Sequence, residues 1–209
     1  MDLSQAIKEY DMETAERIVK QQLERDKTNV DLWLKLAVIE LQFPFDDYES
    51  ALKCIEQIYQ LSPNYLDALI LETEIRWHYL IITEALAKRL EKAIATCDCD
   101  EKKSILHYLL SLYYFTERDF EKEKINLEKS IQLCDQYVYP YKALGILLWE
   151  LDKEKSKEMF CRALKNVKKV YRDDDFYDFT DFDTYVAEFI TGTAISSINY
   201  DSIKESAEC

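Results

Sequence analysis

The sequence predicts an all-α protein built as a stack of antiparallel helical hairpins. Only two glycines and three prolines occur among 209 residues, which leaves little material for the tight turns of an all-β fold. Apolar residues recur with helical period along most of the chain. Pairs of such apolar stripes return at intervals typical of stacked helical repeats. These three observations together favour long helices joined by short polar turns.

The first predicted hairpin spans residues 30–61. Its first helix, VDLWLKLAVIELQF, has a wide apolar face that includes Trp33, Leu36 and Ala37. After the connection PFDDYES, a second apolar stripe begins at Ala51 and runs to the turn SPNY. Proline disfavours continuation of a helix, so the second helix is expected to end at this turn.

The same arrangement recurs three times. The predicted helix pairs are 65–75 with 83–95, 104–115 with 119–133, and 139–151 with 155–167. A small residue lies near the middle of each first helix, at Ala37, Thr73, Ser111 and Gly145. These positions are 36, 38 and 34 residues apart, a period that favours stacked hairpins over an antiparallel α-bundle, the alternative with similar stripes.

Residues 1–170 resemble the tetratricopeptide repeat family. LWLKLAVIE is similar to the aromatic-x-x-Leu-small opening of such a repeat, and ESALKCIEQIYQLSPNY resembles its second half with the closing Pro63. The repeats are degenerate, since Leu69 and His107 replace the opening aromatic residue and Glu123 replaces a small one. The resemblance implies a right-handed superhelical stack of hairpins that binds a peptide or a partner domain on the faces of its first helices.

Charge restricts the classes of partner. The 27 basic and 41 acidic side chains give a net charge of −14, of which residues 171–209 supply −8. So acidic a chain repels phosphate groups, which argues against nucleic acid and anionic membranes as partners. The N-terminal sequence has neither the basic start nor the apolar core of a signal peptide, so we expect a cytoplasmic protein with reduced cysteines.

The residues that catalysis and metal binding need are scarce. His78 and His107 lie on different predicted helices, and two isolated glycines cannot form a phosphate-binding loop. Cys97 and Cys99 have no second ligand pair of the kind structural zinc needs. We therefore expect a protein that is not an enzyme and has no cofactor or metal.

An acidic, aromatic segment, YRDDDFYDFTDFD, follows the repeats at residues 171–183. Its spacing does not fit a calcium loop, because Asp178 stands where the sharp turn needs glycine. We interpret residues 171–209 as a second part of the chain, an acidic aromatic connection that leads into a C-terminal helical cap. The acidic stretch is either a solvated loop anchored by its aromatic residues or a binding surface.

Candidate partner-binding residues come from two places. The first helices offer aromatic and acidic side chains near their ends, and the segment after residue 170 offers carboxylates. The candidates are Glu74, Trp77, His78, Tyr108, Trp149, Glu150, Asp173, Asp174, Asp175, Tyr177, Asp178 and Asp181. For Tyr108 and the other aromatic residues, packing between hairpins is the alternative interpretation.

Two functions fit these features. An acidic, non-catalytic binding module could neutralise a basic toxin, in the manner of an immunity protein or antitoxin. The alternative is a general scaffold or adaptor within a cytoplasmic multiprotein assembly. The lysine and asparagine clamp that some repeats of this family use to hold acidic chaperone tails is missing, because residues such as Leu34, Val38 and Ile70 occupy those faces.

Overall fold

A computed structural model describes residues 1–170 and 197–208. Over these ranges the chain is all-helical, with eleven helices and no strand, which confirms the predicted fold class. The helices are α1 (Leu3–Lys8), α2 (Met12–Arg25), α3 (Val30–Glu40), α4 (Tyr48–Leu61), α5 (Leu66–Tyr79), α6 (Glu84–Thr96), α7 (Asp100–Thr116), α8 (Phe120–Leu133), α9 (Val138–Leu148), α10 (Lys153–Val170) and α11 (Ser197–Glu208).

Short polar side chains fix where many of these helices begin. At each such start an Asp, Asn or Thr accepts a hydrogen bond from the backbone N–H three residues on, which satisfies a donor that the helix itself leaves open. The capping residues are Asp2, Asp11, Asn29, Asp47, Thr83, Asp119 and Asp152. These caps explain why the apolar stripes start where they do.

The described residues form two compact units. Unit 1 contains residues 1–81 with helices α1–α5, and unit 2 begins at Ile82 and contains helices α6–α11. The division lies between α5 and α6, inside the second hairpin that the sequence predicts. The two units are therefore described separately.

In unit 1, contacts between side chains set the direction of the helices. The Tyr59 hydroxyl donates to Glu72 at 2.9 Å, and Tyr48 stacks on Tyr79 with ring centroids 5.1 Å apart. The start of α4 thus contacts the end of α5, and the end of α4 contacts the middle of α5, so these two helices are antiparallel.

Two further hydrogen bonds relate α3 to α5. Tyr65 donates to Asp31 at 2.8 Å near the starts of these helices, and Tyr79 donates to Asp46 at 3.0 Å just beyond the end of α3. The partners are 34 and 33 residues apart in sequence. First helices of successive repeats therefore run in the same direction, as the repeat period predicts.

The core of unit 1 confirms the predicted small residues, and Trp33 lies at its margin. Ala37 and Thr73 are fully buried, as expected for residues where helices cross. Trp33, which we predicted to lie on the apolar face, is partly buried, and its indole N–H donates to the Lys27 carbonyl at 2.9 Å. The indole therefore also ties the turn between α2 and α3 to the start of α3, because its N–H requires a polar partner.

In unit 2, α7 and α8 form an antiparallel hairpin. Ser104 and Ser130 exchange hydrogen bonds between hydroxyl and backbone carbonyl, both at 2.8 Å. Closer to the turn, His107 Nδ1 donates to Asn126 Oδ1 at 2.8 Å. These buried polar groups pair with one another, which avoids the free-energy penalty of leaving a buried donor or acceptor unsatisfied.

Helices α9, α10 and α11 complete unit 2. Ser156 on α10 donates to the Gly145 carbonyl on α9 at 2.6 Å, where the two helices cross closely. The C-terminal helix α11 places Ile203, fully buried, in the same core, which confirms the predicted helical cap. The members of this core are Leu127, Val138, Tyr141, Leu144, Leu148, Met159, Ala163, Val167 and Ile203.

Glu123 on α8 is a buried carboxylate in this unit. Its side chain stands where the repeat pattern has a small residue, only 5% of the residue is exposed, and its Oε2 has no hydrogen-bond partner among the described residues. Burial raises the pKa of Glu123 to about 7. The folded chain thus binds a proton at this site more tightly than the unfolded chain does.

We expect the replacement of Glu123 by glutamine to reduce the dependence of stability on pH. Between its ordinary pKa and about 7, folded Glu123 holds a proton that the unfolded chain releases, so the free energy of unfolding falls as the pH rises through this window. Between pH 5 and pH 8 the free energy of unfolding should decrease by about 1–3 kcal/mol less in the variant than in the wild-type chain. Urea unfolding at several pH values measures the change.

The matched control for this prediction is Glu128→Gln, an exposed glutamate on the same helix. Burial also raises the pKa of Glu74 to about 7, so the stability of the variant will still depend on pH. The pH dependence of the variant is therefore compared with that of the wild-type chain. Equal slopes in wild type and Glu123→Gln would show that Glu123 is ionised in the folded protein.

Candidate functional site

In unit 1 the candidate residues lie on the last turns of α5. One side of the helix carries Glu74 and, three and four residues later, Trp77 and His78. Glu74 Oε2 lies 3.7 Å from His78 Nε2. The Glu74 side chain is 20% exposed and that of His78 is 62% exposed, while Trp77 is partly buried. The structure thus brings Glu74 and His78 together at an accessible face, which we call the α5 face.

Desolvation shifts both titratable groups of the α5 face toward their neutral forms. It raises the pKa of Glu74 to about 7 and lowers the pKa of His78. A cationic group placed against Glu74 would favour the carboxylate and release a proton near neutral pH. The α5 face can therefore offer a negative charge, that of Glu74, to a cationic group. The ring of Trp77, three residues after Glu74, lies on the same turn of the helix.

Three apolar residues that the sequence placed on the faces of the first helices are buried and not available to a partner. Leu34, Val38 and Ile70 are 5%, 0% and 0% exposed in unit 1. Their apolar side chains are more stable in the core than in contact with water, so packing determines their position. Glu74, on the same first-helix face as Ile70, retains an accessible side chain in unit 1.

In unit 2, Tyr108 belongs to an aromatic cluster. Its ring lies edge-on to Tyr137 with centroids 5.5 Å apart and stacks on Tyr139 at 5.9 Å. Such contacts stabilise the neighbouring helices α7 and α9. The partly buried Tyr108 therefore makes the packing contacts of the alternative interpretation, and its role in binding a partner stays a prediction.

Trp149 and Glu150 follow the end of α9. Trp149 is 40% exposed and lies edge-on to Phe160 of α10, with centroids 6.4 Å apart. Glu150 is exposed in the turn that follows. A half-exposed indole held by a buried ring is a suitable anchor for a partner, because little side-chain freedom remains to be lost on binding. We call Trp149, Glu150 and Ile146 the α9 face.

The small residue of each first helix provides a common reference for these positions. Trp77, Phe115 and Trp149 each lie four residues after it, although they belong to different repeats. Ile146, one residue after Gly145 as Glu74 is after Thr73, is 56% exposed and was missed from sequence. This shared register was the signal that could have identified it, because positions one and four residues on lie on one side of a helix.

The α9 face is less acidic than the sequence suggested. Lys142 lies on α9 three residues before Gly145, at the position that Tyr108 has relative to Ser111. The lysine is partly buried, and desolvation lowers its pKa. A partner of unit 2 therefore meets charges of both signs.

The remaining candidates lie outside the described residues. They are Asp173, Asp174, Asp175, Tyr177, Asp178 and Asp181. Within residues 1–170 and 197–208 no group of three or more His, Cys, Asp or Glu side chains could hold a metal ion. No helix in the same ranges combines the length and the apolar character needed to cross a bilayer.

The fold is that of tetratricopeptide-repeat proteins, as the resemblance of residues 1–170 implied. No protein-family model matches the sequence, and no curated protein matches it. The likeness is to solved structures and concerns the fold.

Three solved structures illustrate this likeness. PilW, titled a widely conserved type IV pilus biogenesis factor, superposes with a TM-score of 0.67 at 14% identity over 98% of this chain and 84% of PilW. MamA from Desulfovibrio magneticus RS-1 gives 0.61 at 18% identity, covering 81% and 92% of the two chains. TTC0263, a thermophilic TPR protein of Thermus thermophilus, gives 0.53 at 16% identity over 87% and 90%.

Proposed function

We propose that this protein is a non-catalytic binding module that holds a polypeptide partner on the faces of its first helices. The observation that carries the proposal is the recurrence of a large aromatic residue four positions after the small residue of each of three first helices, at Trp77, Phe115 and Trp149. Two of these, Phe115 and Trp149, are 50% and 40% exposed. Packing within a hairpin does not by itself require so much exposed aromatic surface at equivalent positions.

The proposed partner is basic. The chain carries a net charge of −14, and the α5 face presents Glu74 beside Trp77. A cation is attracted to a carboxylate and also to the face of an indole ring, so lysine or arginine side chains suit this arrangement. The carboxylates of Asp173, Asp174, Asp175 and Asp178 are proposed, from sequence alone, to extend the acidic surface.

The more specific form of the proposal is a neutralising protein of the immunity or antitoxin type that blocks a basic toxin in the cytoplasm. Strong negative charge supports it, because charge complementarity accelerates association and carboxylates can occupy a site meant for phosphates. The alternative, a scaffold or adaptor in a multiprotein assembly, is supported by the tetratricopeptide-like fold. Co-purification from the native host with mass spectrometry separates the two: a single small basic protein supports neutralisation, and several subunits of one assembly support a scaffold.

With a partner recovered in that way, we expect Trp149→Ala to weaken binding about ten- to one-hundredfold, because it removes a held aromatic anchor. Added salt should also slow association with the wild-type chain, as electrostatic steering requires. Titration calorimetry and stopped-flow fluorescence measure the two effects.

The control for this experiment is Phe120→Ala, which removes an aromatic side chain that is 54% exposed but lies at the start of α8. Binding unaffected by Trp149→Ala would exclude the α9 face as the interface. An association rate that does not change with salt would remove the argument for a basic partner.

A further inference from the structure

Unit 1 exposes a second apolar surface, at the end of its hairpins rather than on a helix face. Phe43, in the turn between α3 and α4, is 77% exposed, and Leu80 and Ile81, directly after α5, are 45% and 60% exposed. We call these three residues the turn-edge patch. Burial of side chains of this size is favourable, so their joint exposure is costly in water.

Specific contacts hold the two segments of the patch side by side. The Tyr79 hydroxyl donates to Asp46 at 3.0 Å, and the Tyr79 ring stacks on Tyr48 at 5.1 Å with the ring planes 16° apart. Tyr79 immediately precedes Leu80, and Asp46 lies three residues after Phe43. The end of α5 is thus fixed against the α3–α4 turn, which places the segment of Leu80 and Ile81 at the same edge of unit 1 as the turn that carries Phe43.

The chain segments that carry the patch are predominantly acidic, and Lys53 on the second turn of α4 is a cation close to Asp47. Residues 41–52 contain no lysine or arginine but include Asp46, Asp47 and Glu49, and residues 77–81 contain none either. Asp46 and Glu49 are exposed. An apolar centre with a rim of carboxylates complements a surface that combines apolar side chains with lysine or arginine.

We propose that the turn-edge patch is a docking surface for a basic amphipathic segment of a partner polypeptide. Its apolar side chains would cover Phe43, Leu80 and Ile81, and its cations would meet the carboxylates of Asp46 and Glu49. A second copy of this chain fits less well, because a symmetric contact through the patch would bring two sets of these carboxylates together. The proposal does not depend on the first-helix faces, since its residues lie in turns.

The test uses a fluorescein-labelled 18-residue amphipathic helix of leucine and lysine as the probe, with fluorescence anisotropy of the full chain as the readout. The variant Phe43→Ser/Ile81→Ser changes no charge and removes exposed side chains only. We expect it to weaken peptide binding at least about tenfold, as loss of central apolar anchors does. The matched control, Phe120→Ser/Leu151→Ser, removes two side chains of unit 2 that are 54% and 78% exposed and should change affinity less than about twofold.

A second pair of measurements tests the charge. Glu49→Gln should weaken peptide binding about two- to fourfold, and a peptide with glutamine in place of lysine should bind less tightly still. Circular dichroism and thermal melting confirm that each variant remains folded.

Several outcomes would overturn the proposal. Equal losses in the two serine variants would mean that exposed apolar side chains in general, and not the patch, hold the peptide. No loss in either variant would mean that the overall negative charge holds it, and no binding by the wild-type chain would exclude this class of segment. A wild-type dimer in light scattering that dissociates in Phe43→Ser/Ile81→Ser would make a second copy the occupant.

Discussion

Leu127→Ala should destabilise the protein by about 3–4 kcal/mol, the largest loss that we expect from a single truncation. Leu127 is completely buried in the core of unit 2, which also contains side chains of α9, α10 and α11. Removal of its isobutyl group leaves a cavity between elements that other contacts hold in place, so the site cannot collapse to fill it. Urea unfolding followed by circular dichroism measures the change.

Ile125→Ala provides the control for this prediction on the same helix. Ile125 lies two residues away on α8 and is 46% exposed, so its truncation should change the free energy of unfolding by less than about 0.5 kcal/mol. Similar losses in the two variants would mean that α8 does not turn Leu127 toward the core. Hydrogen exchange adds a second readout, since Leu127→Ala should reduce protection in α11 as well as in α8.

Gly145→Val should cost about 2–3 kcal/mol through overpacking. A Cβ atom built at Gly145 would lie 2.9 Å from Cε2 and 3.0 Å from Cδ2 of Phe160. Phe160 is itself buried and in contact with Trp149, so its ring has little room to move aside. Valine adds further methyl groups at this crossing and also disfavours the helix slightly.

Two additional variants test the cause of the Gly145→Val effect. Gly145→Ala should cost less than Gly145→Val, because it places only the Cβ against Phe160 and the gain in helix propensity of about 1 kcal/mol offsets part of that close approach. In the double variant Gly145→Val/Phe160→Leu, the smaller side chain should restore part of the loss and give a coupling energy of about 1 kcal/mol or more in a double-mutant cycle. Strict additivity would mean that Phe160 is not the source of the clash.

The fold could be predicted from sequence because burial and helix crossing restrict residue type strongly. Ala37, Thr73, Ser111 and Gly145 are all buried where the repeat pattern placed a small residue. The starts of several helices can also be predicted from sequence, since Asp and Asn caps precede the apolar stripes. Local patterns of this kind do not depend on which distant element a helix contacts.

Pairwise contacts were less predictable. Trp33 has a large apolar side chain, as core residues do, yet its indole N–H donates a hydrogen bond to the backbone carbonyl of Lys27. No pattern in the sequence specifies that partner. Tyr108 was placed on the right helix, but its packing against Tyr137 and Tyr139 depends on residues some 30 positions away. Candidate sites are therefore harder to predict from sequence than helices, because neighbours that are distant in sequence decide which side chains are accessible.

The hydrogen bonds from Tyr65 to Asp31 and from Tyr79 to Asp46 restrict where the chain can change length. Both tyrosines flank α5, so a residue inserted within this helix would turn one of them by about 100° relative to the other. Both bonds could not then form. A residue inserted at Pro63 or Asn64 leaves both tyrosines on the same side of the insertion and preserves their relation. Viable insertions in unit 1 should therefore be found in the turn between α4 and α5, and those within α5 should be lost under selection for folding.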